Sequence, residues 1–286
     1  MLNFIIYKIG QAITLCLPTK IAYKLAIFIS DLHFKTSKKD RISVINNLKI
    51  IFPEKNYDEI FNLSREVFRN FGKYLVDFFS FSKLNKDYLK KYVSIEGKEN
   101  LDSALSQNKG VIALTAHIGN WELGGVVMAL AGYPTYAIAL PHKNIWVNRF
   151  FNRQRESKGL KVIPLNGAVA HQCLNKLKSN NIVCIAGDRD FTQNGIILDF
   201  FRKPTLIPRG AASFSLITGT PIIPGFMIRN PDDTFKLILE KPIEFISTGD
   251  REVDTKELTK KYLLIFEKYI KTYPEQWYMF REFWLQ

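Results

Sequence analysis

The sequence predicts an α/β fold built on a mixed, largely parallel sheet that is flanked by helices. Three observations support this class. Short apolar runs alternate with segments of helical spacing between residues 111 and 186. The runs lack the polar alternation of a half-exposed strand, which favours a sheet covered on both faces. Hydrophobic residues also make up 47% of the 286 residues, which is enough to fill a large core.

The central stretch of the chain reads VIALTAHIGNWELGGVV. Its apolar start, residues 111–116, predicts a buried strand. Gly119 and Asn120 break the run, and Asn120 is suited to cap a helix over residues 121–130. His117 is therefore expected at a strand-to-helix corner, beside backbone N–H groups that lack intrahelical partners.

Breaker residues and apolar spacing predict the elements before this corner. A helix is expected to end before Pro53, because proline disfavours helical backbone in the residue that precedes it. Residues 58–81 carry apolar side chains at helical spacing and predict a long helix. A short strand at residues 92–96 and a short helix at residues 101–107 lead into the central strand.

The alternation continues after the corner. Gly219 is the expected stop of a helix that the Pro-Arg-Gly sequence at 208–210 opens. The carboxyl ends of parallel strands meet at one edge of a sheet, where ligands gather. Two candidate side chains, His117 and Asp188, follow such ends. The predicted strands lie at residues 136–140, 161–165, 182–186, 196–201, 221–227 and 235–239, and the helices at 144–158, 168–178, 211–217 and 255–272.

The first 34 residues are apolar but interrupted by charges, and Pro18 divides them. The longest uncharged piece, residues 9–19, is shorter than the ~20 residues that a spanning helix needs. Two short helices are expected, either in a membrane interface with snorkelling lysines or as core helices. A tilted span over residues 2–17 is a third alternative. A signal peptide is not expected, since Lys8 interrupts the apolar part. A polar, mostly basic hinge is expected at residues 35–41.

The net charge is +13 and the sequence pI is about 9.5, which suits nucleic acid, an anionic membrane or small acidic partners. The three cysteines, Cys16, Cys173 and Cys184, form no disulfide framework and no metal-ligand spacing. They favour a reducing, cytosol-facing compartment. No Gly-rich phosphate loop and no internal repeat is present.

Several segments carry a resemblance to a known family. HIGNWE at residues 117–122 resembles the H-x4-D/E signature of the lysophospholipid acyltransferase superfamily. The order of downstream segments is similar to one branch, the late (lauroyl/myristoyl) acyltransferases of lipid A biosynthesis, over nearly the whole chain. One departure is LPHK at residues 140–143, where members often have an arginine-proline pair. The similar segments are RQR at 153–155, GDRD at 187–190, FF at 200–201 through PRG at 208–210 to TGTP at 218–221, PEQW at 274–277 and REFW at 281–284.

This resemblance implies an enzyme on the cytoplasmic side of the inner membrane. It would move a fatty acyl chain from acyl carrier protein to a hydroxyl of a lipid A precursor, forming an acyloxyacyl ester. Residues 1–34 would be a membrane-associating helical segment and residues 35–286 the acyltransferase domain. No metal or organic cofactor is expected.

The expected chemistry needs a base for the acceptor hydroxyl and a place for the oxyanion charge. His117 is the natural base, because the unperturbed pKa of histidine is about 6.5. Glu122 would orient His117, although residues five apart on a regular helix diverge by about 140°. The pair therefore requires the corner at Gly119 and Asn120. Without that corner, Glu122 would act separately, even as the base, and Asp188 is a second partner for His117.

Four arginines are candidates for binding substrate. Arg153 and Arg155 suit the acceptor phosphates or the developing oxyanion. The alternative is a solvated basic helix face, which fits Arg155 nearly as well. Arg153 is favoured because it shares a helix face with aromatic residues. Arg189 and Arg209 have the same two interpretations.

Other functions compete with this one. A glycerophospholipid or glycolipid acyltransferase of the same superfamily differs only in its acceptor. A hydrolase is disfavoured because no Gly-x-Ser-x-Gly elbow is present. Nucleic-acid binding is disfavoured because the basic residues are spread along the chain without a matching motif. A catalytically silent lipid-binding module would not depend on His117.

Overall fold

The structure, a computed structural model, describes residues 2–285. Its helices and strands alternate through the middle of the chain as expected, with a helical region before them. The α-helices are α1 (Leu2–Cys16), α2 (Thr19–Thr36), α3 (Lys38–Ile51), α4 (Tyr57–Phe79), α5 (Lys86–Tyr92), α6 (Lys98–Ser106), α7 (Trp121–Leu130), α8 (Ile145–Glu156), α9 (Val169–Lys178), α10 (Gly210–Thr218) and α11 (Arg251–Thr272). The strands are β1 (Val93–Glu96), β2 (Val111–Thr115), β3 (Thr135–Ala139), β4 (Lys161–Pro164), β5 (Ile182–Ala186), β6 (Ile196–Phe200), β7 (Lys203–Ile207), β8 (Ile222–Arg229) and β9 (Phe235–Leu239).

Seven strands form one sheet in the order β1-β9-β8-β2-β5-β3-β4. All neighbours in it are parallel except β8 and β9. The predicted mixed, largely parallel sheet flanked by helices is therefore confirmed. In its centre, β2 pairs with β5 so that Thr115 lies opposite Ala186. This register brings the carboxyl ends of the two strands together.

The core lies on both faces of this sheet. One apolar cluster packs α10 and α11 against it and includes the fully buried Phe226 and Phe266. The other packs α7 and α8 on the opposite face and includes Val126 and Phe150. Strands covered on both sides explain the unbroken apolar runs in the sequence.

The two N-terminal helices are partly core and partly exposed. Pro18 separates α1 from α2 as expected. Helix α2 packs so closely on α4 that a Cβ at Gly72 would lie 2.2 Å from Ser30 Oγ. Among residues 2–285, no helix is both long and apolar enough to cross a membrane. Helix α2 buries Ala22, Tyr23 and Phe34 in the core, and the outer surface of both helices carries exposed apolar side chains.

Three local expectations were wrong or incomplete. The basic hinge at residues 35–41 is helical apart from Ser37, because α2 and α3 continue to its two sides. Strand β7 was missed, because Pro204 argues against a strand at this position. The strand lies in a separate two-stranded antiparallel pair with β6, where proline is tolerated. Helix α5 is a seven-residue element that was also missed.

Candidate active site

The strand-to-helix corner forms as the sequence predicts. Strand β2 ends at Thr115 and α7 begins at Trp121. The side chain of Asn120 caps α7, since its Oδ1 accepts a hydrogen bond of 3.0 Å from the backbone N–H of Leu123. His117 lies between the strand and the helix, outside both.

Gly119 makes the turn within this corner. Its φ is +60°, in the left-handed region, and a Cβ there would lie 2.0 Å from the backbone oxygen of Met227. Its own N–H donates to the backbone oxygen of Gln276 at 2.9 Å, and the next N–H, of Asn120, donates to that of Met227 at 2.8 Å. The corner is thus held between β8 and the C-terminal tail.

We expect Gly119→Ala to destabilise the fold and lower activity. The left-handed φ costs alanine about 1–2 kcal/mol, and the backbone of Met227 must also move. Gly219→Ala is the matched control, because Gly219 has φ +67° and a Cβ there would meet nothing within 4 Å. Chemical denaturation of both variants should show the larger loss at Gly119. Equal losses would show that the close approach to Met227 is unimportant.

His117 contacts Asp188 at the meeting strand ends. The ring Nδ1 lies 2.6 Å from Asp188 Oδ1, and the backbone N–H of His117 donates to Oδ2 at 3.0 Å. Trp277 Nε1 donates to the same Oδ2 at 3.3 Å. An ionised carboxylate only accepts hydrogen bonds, so Nδ1 carries the proton and Nε2 holds the free lone pair. The His117 side chain is 14% exposed and that of Asp188 is fully buried.

The local environment sets the protonation of this pair. Burial lowers the pKa of His117 from its ordinary 6.5, and Arg189 lowers it further, while the charge of Asp188 opposes them. Burial acts to raise the pKa of Asp188, but the charge and hydrogen bonds of His117, together with Arg189, hold that pKa well below its usual range. At neutral pH the pair is a neutral imidazole and a carboxylate, which suits proton acceptance by His117.

The expected contact between Glu122 and His117 does not form. Both carboxylate oxygens of Glu122 accept from Arg155 instead, Oε2 from Nε at 2.8 Å and Oε1 from Nη2 at 2.5 Å. Glu122 is the second residue of α7, so the turn that frees His117 from the helix directs the carboxylate elsewhere. Between the two carboxylates considered, the structure places Asp188 against His117.

A buried polar cluster contacts Asn120, the capping residue of the corner. Asp77 Oδ1 accepts from the hydroxyl of Tyr23 at 2.5 Å, and Oδ2 accepts from Nδ2 of Asn120 at 2.9 Å. Arg229 also donates to Asp77. All four side chains are buried. Helices α2 and α4 and strand β8 therefore converge on the residue that caps α7.

The four candidate arginines occupy four different settings. Arg155 is buried against Glu122, so the solvated-face alternative was wrong for it. Arg153 is exposed and lines a groove between α1 and α8. Arg189 donates to the backbone oxygen of Tyr278 beside the histidine. Arg209 pairs with Glu252 at the start of α11. Residues 2–285 contain no group of three His, Cys, Asp or Glu side chains placed to hold a metal ion.

The C-terminal tail contributes contacts that residue-type reasoning missed. Trp277 donates to Asp188, and the N–H of Tyr278 donates to the backbone oxygen of His117 at 3.1 Å. Gln276 exchanges two hydrogen bonds of 2.9 Å with the backbone of Arg229. The sequence signal for these contacts is the density of aromatic residues in the tail, because so apolar a segment must dock on the domain or on lipid. The tail docks on the domain, with Trp277 and Tyr278 buried.

Comparison with known proteins identifies the family. Residues 2–286 match the model of the family described as bacterial lipid A biosynthesis acyltransferase. The chain is 28% identical over 233 residues to a phosphatidylinositol mannoside acyltransferase of Mycobacterium tuberculosis, covering 76% of this chain and 68% of that protein. It is 27% identical over 234 residues to the lipid A biosynthesis palmitoleoyltransferase of Escherichia coli, covering 81% and 74%. It is also 22% identical over 269 residues to a lipid A biosynthesis acyltransferase of Haemophilus influenzae, covering 91% and 79%. Since the family match extends over nearly the whole sequence, the chain belongs to the bacterial lipid A biosynthesis acyltransferase family.

Proposed function

We propose that this acyltransferase moves a fatty acyl chain from an acyl carrier protein thioester to a hydroxyl of a phosphorylated lipid A precursor. The observation that carries the proposal is the 2.6 Å contact between His117 Nδ1 and the buried Asp188, which leaves Nε2 as a proton acceptor. An ester-forming transfer requires such a base, because a neutral hydroxyl is a poor nucleophile.

The reaction follows from this arrangement. Nε2 of His117 takes the proton of the acceptor hydroxyl as its oxygen attacks the thioester carbonyl. The tetrahedral intermediate collapses, the carbon–sulfur bond breaks, and the imidazolium returns the proton to the leaving thiolate. Asp188 keeps the reactive tautomer and stabilises the imidazolium. The products are an ester and the free thiol of the carrier.

Two groups beside His117 are proposed to receive the oxyanion. The N–H groups of Trp121 and Glu122 in the first turn of α7 have no acceptor within the described residues, while that of Leu123 is capped. Arg189 adds positive charge, and its buried Nε is without a partner among residues 2–285. The pair of Glu122 and Arg155 is proposed to position the first turn of α7.

The protein is proposed to act on the cytoplasmic face of the inner membrane through α1 and α2. Apolar side chains crowd the outer surface of both helices, an arrangement typical of an interfacial surface. The exposed set is Leu2, Ile5, Ile6, Ile9, Ile13, Ile21, Phe28, Ile29 and Leu32. Nearby lysines Lys20 and Lys24 would meet anionic headgroups at about 1 kcal/mol each.

We expect Ile9→Glu combined with Phe28→Glu to shift the protein from membrane to soluble fractions. Burial of each large apolar side chain in the interface contributes about 1.5–3 kcal/mol, and both substitutions lie on exposed surface, so the fold should be kept. Ile246→Glu, at a loop side chain that is 92% exposed and lies outside α1 and α2, is the control. Vesicle flotation measures the shift. Equal flotation of the double variant and the control would show that α1 and α2 are not the anchor.

The proposed reaction is tested with purified components. Acyl carrier protein thioester and a lipid A precursor are incubated with the enzyme, and mass spectrometry should show one added acyl chain. His117→Ala is the negative control. A product that forms only from acyl coenzyme A, or no product with this precursor, would contradict the proposed donor or acceptor.

A second candidate acceptor is a glycolipid. The mycobacterial relatives are named phosphatidylinositol mannoside acyltransferases, and their identity of 28% is close to the 27% of the Escherichia coli protein. The same assay with a mannosylated phosphatidylinositol in place of the precursor separates the two. Faster transfer to that lipid would favour the second candidate.

A further inference from the structure

A groove lies between the membrane-facing helix α1 and helix α8. Its volume is about 580 Å³, and aromatic side chains such as Trp146 and Phe150 form much of its wall. Phe4 of α1 packs near Trp146, with 6.1 Å between ring centroids. An apolar wall of this kind suits the hydrocarbon and ring surfaces of an amphiphile.

The charged residues that line the groove are all cationic. Lys8, Arg149 and Arg153 line it, and no carboxylate does. Among residues 2–285, none of the three forms an ion pair; Lys8 donates only to Gln11, at 3.0 Å. Three uncompensated cations in one groove favour an anion with several oxygens.

A second large cleft, near α4 and α11, shows the contrast. It too is lined by basic residues, including Lys55, Arg65 and Arg69. There, each of the two arginines donates two hydrogen bonds to Asp31, and Lys55 forms an ion pair with Glu59. These three cations already have acidic partners, so the absence of carboxylates distinguishes the groove between α1 and α8.

Gln154 supplies a second, independent feature of this groove. Its side chain lines the groove and is only 6% exposed. Its Oε1 accepts no hydrogen bond within residues 2–285, although buried polar atoms are normally paired. An amide oxygen in this setting suits a hydroxyl or amide donor from a ligand. The groove therefore offers sites for an anion, a donor and an apolar body together.

We propose that this groove binds a phosphate group of the lipid acceptor, with a neighbouring sugar hydroxyl or amide donating to Gln154. The inference rests on the proposed function and adds α1 to the substrate site, beyond its part in membrane contact. Lys8, Arg149 and Arg153 hold the phosphate, and Trp146 and Phe150 pack against the apolar part of the lipid.

The two faces of α8 define what this site selects. Arg153 and Arg155 are two residues apart, so their side chains point about 200° apart around the helix. Arg155 faces Glu122 near the histidine, while Arg153 faces the groove. A helix with its side chains is about 10–12 Å wide. The phosphate is thus held well away from the reacting hydroxyl, which selects a long phosphorylated amphiphile over a short acceptor.

The test measures binding in a His117→Ala background, so that no turnover is needed. The probe is a phosphorylated lipid A precursor in neutral detergent micelles, compared with the same lipid after phosphatase treatment. Arg149→Ala with Arg153→Ala should weaken binding of the phosphorylated lipid by about tenfold or more. Binding of the dephosphorylated lipid should be unchanged by the substitutions. Arg153→Lys should keep part of the affinity, since charge remains without the bidentate geometry.

Lys143→Ala is the control, because Lys143 is an exposed cation just before α8 that lies outside the groove lining. Circular dichroism confirms that each variant is folded. Equal affinity for the phosphorylated lipid in the double variant and the control would overturn the proposal. An equal loss of affinity for both lipids would also overturn the proposal. So would displacement of the bound precursor by phosphatidylglycerol micelles, because that result would assign the groove to a bilayer lipid. Phosphate-dependent binding without any acyl transfer by the wild-type enzyme would reject the proposed function and keep the groove.

Discussion

Replacing His117 with alanine is expected to reduce acyl transfer by about 10²–10⁴-fold, because the reaction loses its proposed general base. Asp188→Asn should cause a loss of similar order, since an amide can hold the imidazole in the wrong tautomer and cannot stabilise its charge. The double variant should be little worse than either single one, because the two residues are proposed to act as a unit. Rates with saturating thioester and acceptor measure all three.

The pH profile tests the same pair in a second way. Activity should fall as the pH drops through the pKa of His117, because the protonated ring cannot accept a proton. That pKa lies below its ordinary 6.5, so the wild-type plateau should extend below this value. The charge of Asp188 raises the pKa of His117, so Asp188→Asn should move the acid limb to still lower pH while the plateau rate drops.

Glu122→Gln separates this mechanism from the alternative in which Glu122 is the base. If Glu122 were the base, its substitution would remove the acid limb and His117→Ala would retain substantial activity. If Glu122 only positions α7 through Arg155, the acid limb should persist at a reduced rate. A folded His117→Ala enzyme with near-wild-type transfer would show that the proposed mechanism is wrong.

Asp77→Ala is expected to lower the free energy of unfolding by about 3–5 kcal/mol. The substitution leaves the guanidinium of Arg229 buried without its carboxylate, and uncompensated buried charges are costly. It also removes the acceptor of the Tyr23 hydroxyl and of the Asn120 amide. Urea denaturation of the purified protein measures the change.

Glu257→Ala is the matched control for this prediction. Glu257 pairs with Lys260 at 2.7 Å, but both side chains are about half exposed, so the loss should stay below about 1 kcal/mol. A loss for Asp77→Ala as small as that of the control would show that the buried cluster does not hold α2, α4 and β8 on the corner. Tyr23→Phe removes a single hydrogen bond of the cluster and should lie between the two.

Local order in this protein can be predicted from the sequence. Strands β5 and β9 have the bounds that their apolar runs predict, and Asn120 caps α7 as its type and position indicate. These features depend on neighbours within a few residues. The corner at His117 could be predicted for the same reason, since a strand, a glycine and a capping residue follow one another directly.

The choice of partners was decided by the tertiary structure. Asp188 lies 71 residues from His117, and the two meet only because β2 and β5 are adjacent in the sheet and in register. Glu122 is close in sequence, yet the left-handed turn at Gly119 and the buried Arg155 direct it away. The sequence by itself determined which residues are candidates for the chemistry, because residue type and local periodicity are local properties. The sheet order determined which of them lie together, because pairing across strands depends on contacts between distant parts of the chain.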